Sequence, residues 1–288
     1  MSLLNVIILA IVQGFAELLP VSSSAHVVVA EKLLGLDPSS PPMTLLLVML
    51  HTGTMLAVIV YFWPQWRSTY FQSTGTFKAI AARVIIATLL TAAVGEAIIK
   101  IIEKTLLRAV PHSEIEDLFS HLEFIAPALA LAGLVILWAG FIERRRAARN
   151  DLGTNEISTK RAALIGMVQG LCLPFRGFSR SGATISAGML LGIAKARAEA
   201  FSFALAVVIT PPVVAREVMR LMRSPHVDGG ALGSVALLTL FGAGVAFFAG
   251  LLALKWLSRW LESGRWSRFG VYCLFAAAAV SYLHRAGY

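Results

Sequence analysis

Charged residues are scarce in this chain of 288 residues: Asp, Glu, Lys and Arg make up 14% of it, whereas hydrophobic residues make up 57%. A soluble domain of this length needs more charge to cover its surface, so the composition excludes an ordinary soluble protein. Cysteine is scarce too, and Cys172 and Cys273 match no metal-binding or redox spacing. We interpret both as packing residues, because thiols in apolar surroundings are usually buried.

Acidic residues are fewer than basic ones, which gives a formal net charge of +9. A nucleic-acid-binding face would need basic residues on a solvated surface with aromatic residues between them. Here Lys and Arg cluster instead at the ends of apolar segments, as they do in the cytoplasmic loops of membrane proteins. The charge pattern therefore predicts membrane lipids as partners, through their anionic headgroups, and no nucleic acid.

Six apolar stretches are long enough to cross a hydrocarbon core, which needs about 20 helical residues. Basic residues crowd the connections 144–161 and 255–268, so the positive-inside rule places both in the cytoplasm. The acidic connection 114–123 then lies outside. The predicted spans are 43–63, 80–102, 124–142, 200–222, 232–254 and 269–283.

Two further segments, 3–34 and 162–193, are apolar but too interrupted to span. Each has an apolar run, a polar kink with Pro, Ser and Gly, and a second apolar run. This form is typical of a re-entrant helix pair, whose irregular backbone must be buried in protein or face a wet cavity.

The two kinks resemble each other: Val-Gln-Gly-Phe at 12–15 recurs as Val-Gln-Gly-Leu at 168–171. Three spans follow each kink, so the second copy must enter from the opposite face. We therefore expect an all-α integral membrane protein with six transmembrane helices and two re-entrant helix pairs in an inverted-topology repeat. The single domain, 1–288, would consist of repeats 1–143 and 160–288, with both termini outside.

The first kink places a carboxylate, three hydroxyls and an imidazole close together. Gln13 and Glu17 are four residues apart and share a helix face. The serines at 22–24 fall at the start of the second half-helix, where free N–H groups and the helix dipole favour an anion. His26 follows closely enough to lie over Ser22 and Ser23.

The second kink places Arg180 between Ser179 and Ser181, with Thr184 one turn further on. A guanidinium among hydroxyls and backbone N–H groups is a phosphate cradle, since Arg stays charged and can bind two oxygens at once. The sequence contains no Gly-x-x-x-x-Gly-Lys-Ser/Thr motif, so a nucleotide P-loop does not explain this pattern.

The two loops together predict chemistry on a pyrophosphate. Arg180 would neutralise charge on the transferred phosphoryl group, helped by Ser22, Ser179, Ser181 and Thr184. Glu17 or His26 would act as the base, either on water or on Ser23 as a covalent nucleophile. Glu17 could also hold a divalent cation, with Gln13 as a second ligand.

Several of these residues also have structural interpretations. Thr184 could orient a phosphate oxygen or bond back to its own helix, and we leave both open. His51 is interpreted as a packing or interface histidine. Glu96 and Lys100, four apart, are expected to pair with each other.

The two loops resemble those of the undecaprenyl pyrophosphate phosphatases, or bacitracin-resistance proteins. That family carries (Glu/Gln)-x-x-x-Glu before Pro-x-Ser-Ser-x-x-His, and later Pro-Gly-x-Ser-Arg-Ser-x-x-Thr. The matching residues are Gln13, Glu17, Pro20, Ser22, Ser23 and His26 in the first motif, and Gly177, Ser179, Arg180, Ser181 and Thr184 in the second.

The resemblance implies hydrolysis of undecaprenyl pyrophosphate to undecaprenyl phosphate, which recycles the carrier lipid for peptidoglycan synthesis. It also implies a bacterial inner-membrane protein, a periplasmic active site and a need for Mg²⁺ or Ca²⁺. Glu17, Ser23, His26 and Arg180 would be its catalytic residues. Two departures stand out: position 13 is Gln where some members have Glu, and Phe175 and Arg176 are inserted before Gly177.

A rival function fits the same architecture. Inverted repeats with broken helices also build secondary transporters, so a carrier or flippase of a phosphorylated polyprenyl lipid is the alternative. Binding of a phosphorylated lipid alone does not require Ser, His and Glu side chains next to an Arg. Their presence therefore favours the enzyme. The sequence leaves the oligomeric state open, with a homodimer as one option.

Overall fold

The computed structural model describes residues 2–37, 40–105, 122–223 and 229–287. Within these ranges the only β-pairing is an isolated bridge between Thr154 and Ile193, so the predicted all-α class is confirmed. The described residues form the helices α1 (Leu3–Leu18), α2 (Ser23–Leu33), α3 (Pro41–Thr69), α4 (Thr74–Thr105), α5 (Leu122–Ala147), α6 (Thr159–Cys172), α7 (Arg180–Leu190), α8 (Lys195–Arg223), α9 (Gly229–Glu262) and α10 (Ser267–Arg285).

Five of these helices are long and apolar enough to cross a membrane: α3, α4, α5 and parts of α8 and α9. They coincide with five of the six predicted spans, which supports a multi-pass membrane protein. The sixth predicted span forms α10, of 19 residues, which is not among the five. The acidic connection 114–123 lies largely outside the described residues.

The two interrupted segments each fold as a helix, a break and a second helix. The first break begins where Leu19 takes an extended conformation before Pro20, as a residue preceding proline tends to do. It ends at Ser22, whose φ of 70° is uncommon for a residue with a side chain. The second break, between α6 and α7, contains Gly177 with a φ of 99°.

The first helix of each interrupted segment packs against a long helix of the other repeat. Helix α1 packs against α9, and α6 packs against α4. A Cβ atom on Gly14 would lie 2.5 Å from that of Ala249, and one on Gly170 would lie 2.7 Å from the Thr91 carbonyl oxygen. The repeated Val-Gln-Gly motif thus permits the same close helix approach in both halves.

The basic connection after α5 anchors the end of α7. Arg146 donates from Nε and Nη2 to the Asp151 carboxylate at 2.7 and 3.0 Å, and from Nη1 to the Met189 carbonyl at 3.1 Å. These hydrogen bonds, with the one from the Gly153 N–H, lower the pKa of Asp151 to about 2. Arg161 Nε donates to the Leu191 carbonyl at 3.1 Å, so two basic side chains fix the helix that begins with Arg180.

Candidate functional site

The two breaks meet through an ion pair between Glu17 and Arg180. Glu17 lies in the last turn of α1, and Arg180 is the first residue of α7. Arg180 Nη2 lies 2.9 Å from Glu17 Oε1, and only 19% and 16% of the two side chains are exposed. Each charge would be costly to bury alone, so the pair couples the positions of the two loops.

The other carboxylate oxygen of Glu17 collects three neutral or basic neighbours. Ser23 Oγ donates a hydrogen bond to Oε2 at 2.5 Å, and Gln13 Nε2 donates to it at 3.3 Å. His51 Nε2 lies 3.7 Å from the same oxygen. The predicted face shared by Gln13 and Glu17 is therefore present, and the Ser23 hydroxyl points its proton at a base.

His51 is a site residue that the sequence did not indicate. It belongs to α3, and its Nδ1 lies 2.8 Å from the Leu47 carbonyl oxygen, which only an N–H can satisfy. Its Nε2 is thereby directed at Glu17. The interpretation of His51 as a packing or interface histidine rested on its sequence neighbours alone. Its contact with Glu17 depends on how α3 packs against α1.

A small cavity of about 20 Å³ lies beside this cluster, between α3 and α8. The charged or titratable side chains that line it are those of Glu17, His51 and Arg180. The remaining lining residues are mainly apolar: Leu18, Thr54, Met55, Val58, Ala206, Val207 and Thr210. The cavity therefore has a polar end, at Glu17 and Arg180, and mainly apolar walls.

His26 lies against the backbone of the first loop and against α10. Its Nδ1 lies 2.8 Å from the Ser22 carbonyl oxygen, and its Nε2 lies 2.7 Å from the Tyr272 hydroxyl. The imidazole also stacks on the Tyr272 ring, with centroids 5.6 Å apart. The structure thus brings His26 to the backbone of Ser22 and to α10, and not into hydrogen-bonding contact with Glu17 or Ser23.

The neighbouring serines of the first loop connect it to the second. Ser22 Oγ and Ser24 Oγ lie 3.2 Å apart. Ser24 Oγ also accepts a hydrogen bond from the Gly177 N–H at 3.2 Å. Ser24 therefore ties the two breaks together.

The hydroxyls of the second loop are engaged within the protein. Ser179 Oγ caps α7 by accepting from the Gly182 N–H at 3.1 Å, and Ser181 Oγ donates to the Leu19 carbonyl at 3.4 Å. Thr184 Oγ1 donates to the Arg180 carbonyl at 2.8 Å, so it bonds back to its own helix. All three side chains are at least 97% buried. Their hydrogen bonds hold the first turn of α7, where Arg180 lies, in position.

The comparison with known proteins now decides the family. A family model described as "Bacitracin resistance protein BacA" matches residues 6–279. The chain belongs to this family. Undecaprenyl-diphosphatase 2 of Acinetobacter baylyi is 53% identical over 284 residues, covering 97% of both chains. Undecaprenyl-diphosphatase of Anaeromyxobacter sp. is 34% identical, covering 98% of this chain and 88% of the relative. Undecaprenyl-diphosphatase 2 of Burkholderia ambifaria is 33% identical, covering 96% and 95%.

The chain builds one site from its two similar loops. Gln169 occupies the place in the second repeat that Gln13 has in the first. Its side chain is fully buried and donates to Thr91 Oγ1 at 3.2 Å, away from any carboxylate. Gln13 in the first copy of the motif therefore faces Glu17, whereas Gln169 in the second copy faces Thr91 of α4.

The metal-binding capacity of the site is limited to few ligands. Across the described ranges, no group of three or more His, Cys, Asp and Glu side chains is placed to hold a metal ion. Glu17 is the one carboxylate lining the cavity. Mg²⁺ is commonly bound by one or two carboxylates together with substrate phosphates. The Glu17 carboxylate therefore fits a cation that is also bound by the phosphate oxygens of a substrate.

Proposed function

We propose that this protein hydrolyses undecaprenyl pyrophosphate to undecaprenyl phosphate and inorganic phosphate. Its relatives are named undecaprenyl-diphosphatases, and the family is named for bacitracin resistance. The observation that carries the proposal is the Glu17–Arg180 pair, formed between two broken helices beside the Ser23 hydroxyl. The reaction returns the carrier lipid to peptidoglycan synthesis.

Arg180 would bind the terminal phosphate. Its Nη2 contacts Glu17, while its Nη1 is buried and has no hydrogen-bond partner among the described residues. A buried N–H group without a partner is costly, and a phosphate oxygen would satisfy it with a charge-assisted hydrogen bond. Arg180 would then stabilise the negative charge of the transferred phosphoryl group.

Ser23 would be the nucleophile, with Glu17 as its base. Ser23 Oγ attacks the terminal phosphorus and its proton passes to Glu17 Oε2, 2.5 Å away. The bond from this phosphorus to the bridging oxygen breaks, and the departing undecaprenyl phosphate takes the proton from Glu17. Water then attacks the phosphoserine and gives a proton to Glu17. The bond from phosphorus to Ser23 Oγ breaks, Oγ takes that proton back from Glu17, and inorganic phosphate leaves. Direct attack by water activated by Glu17 is the alternative.

The remaining predicted residues would position these groups. His26 holds the Ser22 carbonyl next to Ser23, where the backbone takes its unusual φ of 70°. Ser22 links to Ser24, and thereby to the second loop. Ser179, Ser181 and Thr184, predicted to contact phosphate, would act through the hydrogen bonds that hold Arg180 in place.

A divalent cation, Mg²⁺ or Ca²⁺, is part of the proposal. Glu17 would hold it, with the Gln13 side-chain oxygen as a weaker second ligand and phosphate oxygens completing the shell. Such a cation supplies further neutralisation of the phosphate charge.

We also propose the finer topology: six spans with α10 as the sixth, two re-entrant pairs related by inversion, and both termini outside. The basic ends of α5 and α9 support a cytoplasmic position for the connections that follow them. The protein would lie in the bacterial inner membrane with its site open to the periplasm. Sizing in detergent would decide whether it forms a homodimer.

The activity is tested by incubating the detergent-purified protein with undecaprenyl pyrophosphate and measuring inorganic phosphate. We expect release that depends on Mg²⁺ or Ca²⁺ and stops with a chelator. Tight binding of the lipid without phosphate release under any of these conditions would contradict hydrolysis and favour a carrier.

A further inference from the structure

A second cavity lies on the outside of the helix bundle, between α5 and α10. Its volume is about 460 Å³. It shares no lining residue with the cavity at Glu17. The lining residues are Leu137, Phe141, Arg144, Ser267, Arg268 and Val271, and we call this site the α5–α10 groove.

One end of the α5–α10 groove is positively charged. None of its described lining residues is acidic. The adjacent Glu143 is neutralised by Lys195, whose Nζ lies 2.8 Å from Glu143 Oε1. Ser267 and Arg268 are the first two residues of α10, so the positive end of the helix dipole adds to the charge of the arginines.

The rest of the groove is apolar and exposed on the outside of the helix bundle. Phe141 is 50% exposed and Val271 44% exposed, although both are large hydrophobic residues. Arg268 is held at the boundary by Trp260, with its guanidinium carbon 5.3 Å from the ring centroid. The two arginines are suited to an anionic headgroup, and the apolar side chains next to them are suited to the acyl chain of the same lipid.

We propose that the α5–α10 groove binds an anionic glycerophospholipid of the cytoplasmic leaflet. Arg144, Arg268 and the Ser267 hydroxyl would bind the headgroup phosphate, and an acyl chain would lie along the apolar side chains. Basic pockets between transmembrane helices on the cytoplasmic side are known to bind acidic lipid headgroups. This binding site is independent of the hydrolytic site.

Native mass spectrometry of the full-length protein with added phosphatidylglycerol or phosphatidylethanolamine tests the proposal. The wild type should retain phosphatidylglycerol in preference to phosphatidylethanolamine. The double variant Arg144→Gln/Arg268→Gln should bind phosphatidylglycerol about fivefold more weakly for each arginine removed. The matched control Arg149→Gln/Arg259→Gln removes the same charge from the connection after α5 and from the end of α9, outside the groove. It should bind phosphatidylglycerol as the wild type does.

Equal losses in the two double variants would overturn the proposal, because binding would then reflect general attraction to a basic surface. Equal retention of the two phospholipids by the wild type would overturn it as well. Displacement of phosphatidylglycerol by a small excess of undecaprenyl phosphate would assign the groove to the carrier lipid instead. Wild-type phosphate release and an unchanged Tm in the absence of added phospholipid show that the groove variant is folded.

Discussion

Ser23 differs from its neighbouring serines in what its hydroxyl faces. Its proton is directed at Glu17, whereas Ser22 and Ser24 contact each other and the second loop. A hydroxyl next to a carboxylate in a site of low polarity is the arrangement of an activated nucleophile.

We expect Ser23→Ala to lower phosphate release by on the order of a thousandfold, because the attacking oxygen is removed. Rapid acid quenching of the wild type during turnover should trap a phosphoserine at position 23. Near-normal turnover of Ser23→Ala would show instead that water attacks directly, with Glu17 as its base.

His51 makes a second prediction at this scale. Its Nε2 faces Glu17 across 3.7 Å and lines the cavity, so its removal takes a polar partner from the base. We expect His51→Ala to lower kcat by about a hundredfold, at the low end of the range for a group that assists acid–base chemistry. The exposed pair Glu96–Lys100, 3.2 Å apart on α4, provides the control: Glu96→Ala should leave kcat unchanged. If His51→Ala also kept the wild-type kcat, His51 would be a packing residue.

The sequence predicted the polar residues that the two breaks bring together better than it predicted the residues around them. Glu17, Ser23 and Arg180 were predicted because polar groups within apolar runs are conspicuous. His51 was missed because it is distant along the chain and reaches Glu17 only through helix packing. The role of Thr184 was left open, since both outcomes fit its place one turn after Arg180, and its hydrogen bond to the Arg180 carbonyl now favours the structural one.

At the scale of elements, the break between α6 and α7 depends on Gly177. Its φ of 99° is unfavourable for any residue with a side chain, and a Cβ atom there would collide with the Ile125 carbonyl of α5. The Gly177 N–H also donates to Ser24, so this residue carries one of the contacts between the loops.

We expect Gly177→Ala to destabilise the protein by about 1–3 kcal/mol and to lower turnover, since the start of α7 would shift. Gly264 is the matched control, with a φ of 71° and open space around it. Gly264→Ala should show a smaller drop in Tm and normal turnover. Equal effects of the two substitutions would mean that the packing of Gly177 against α5 is unimportant.

The helices themselves were largely predictable from sequence, because long apolar runs and polar kinks give strong signals. The connection after α5 was less predictable. Its arginines were interpreted as charge that only sets orientation, but Arg146 also binds Asp151 and the end of α7. A charge pattern does not specify which carbonyl a guanidinium will reach, since that depends on how the helices end.

At the scale of the whole molecule, the proposed orientation can be tested with single cysteines. The two native thiols, Cys172 and Cys273, are buried, so background labelling should be low. We expect Asp37→Cys to react with a membrane-impermeant maleimide in intact spheroplasts, and Ser73→Cys and Ser263→Cys to react only after permeabilisation. The reverse pattern would invert the topology and place the site on the cytoplasmic side.

The central claim is that hydrolysis occurs where the two broken helices meet at Glu17 and Arg180. The most direct test is phosphate release from undecaprenyl pyrophosphate by purified Arg180→Ala, with a monodisperse elution profile as the check on folding. We predict a loss of at least about a hundredfold, because the group that stabilises the transferred phosphate is gone. Glu17→Gln, which keeps the size of the side chain, should be similarly impaired. Wild-type turnover in folded Arg180→Ala would contradict the account.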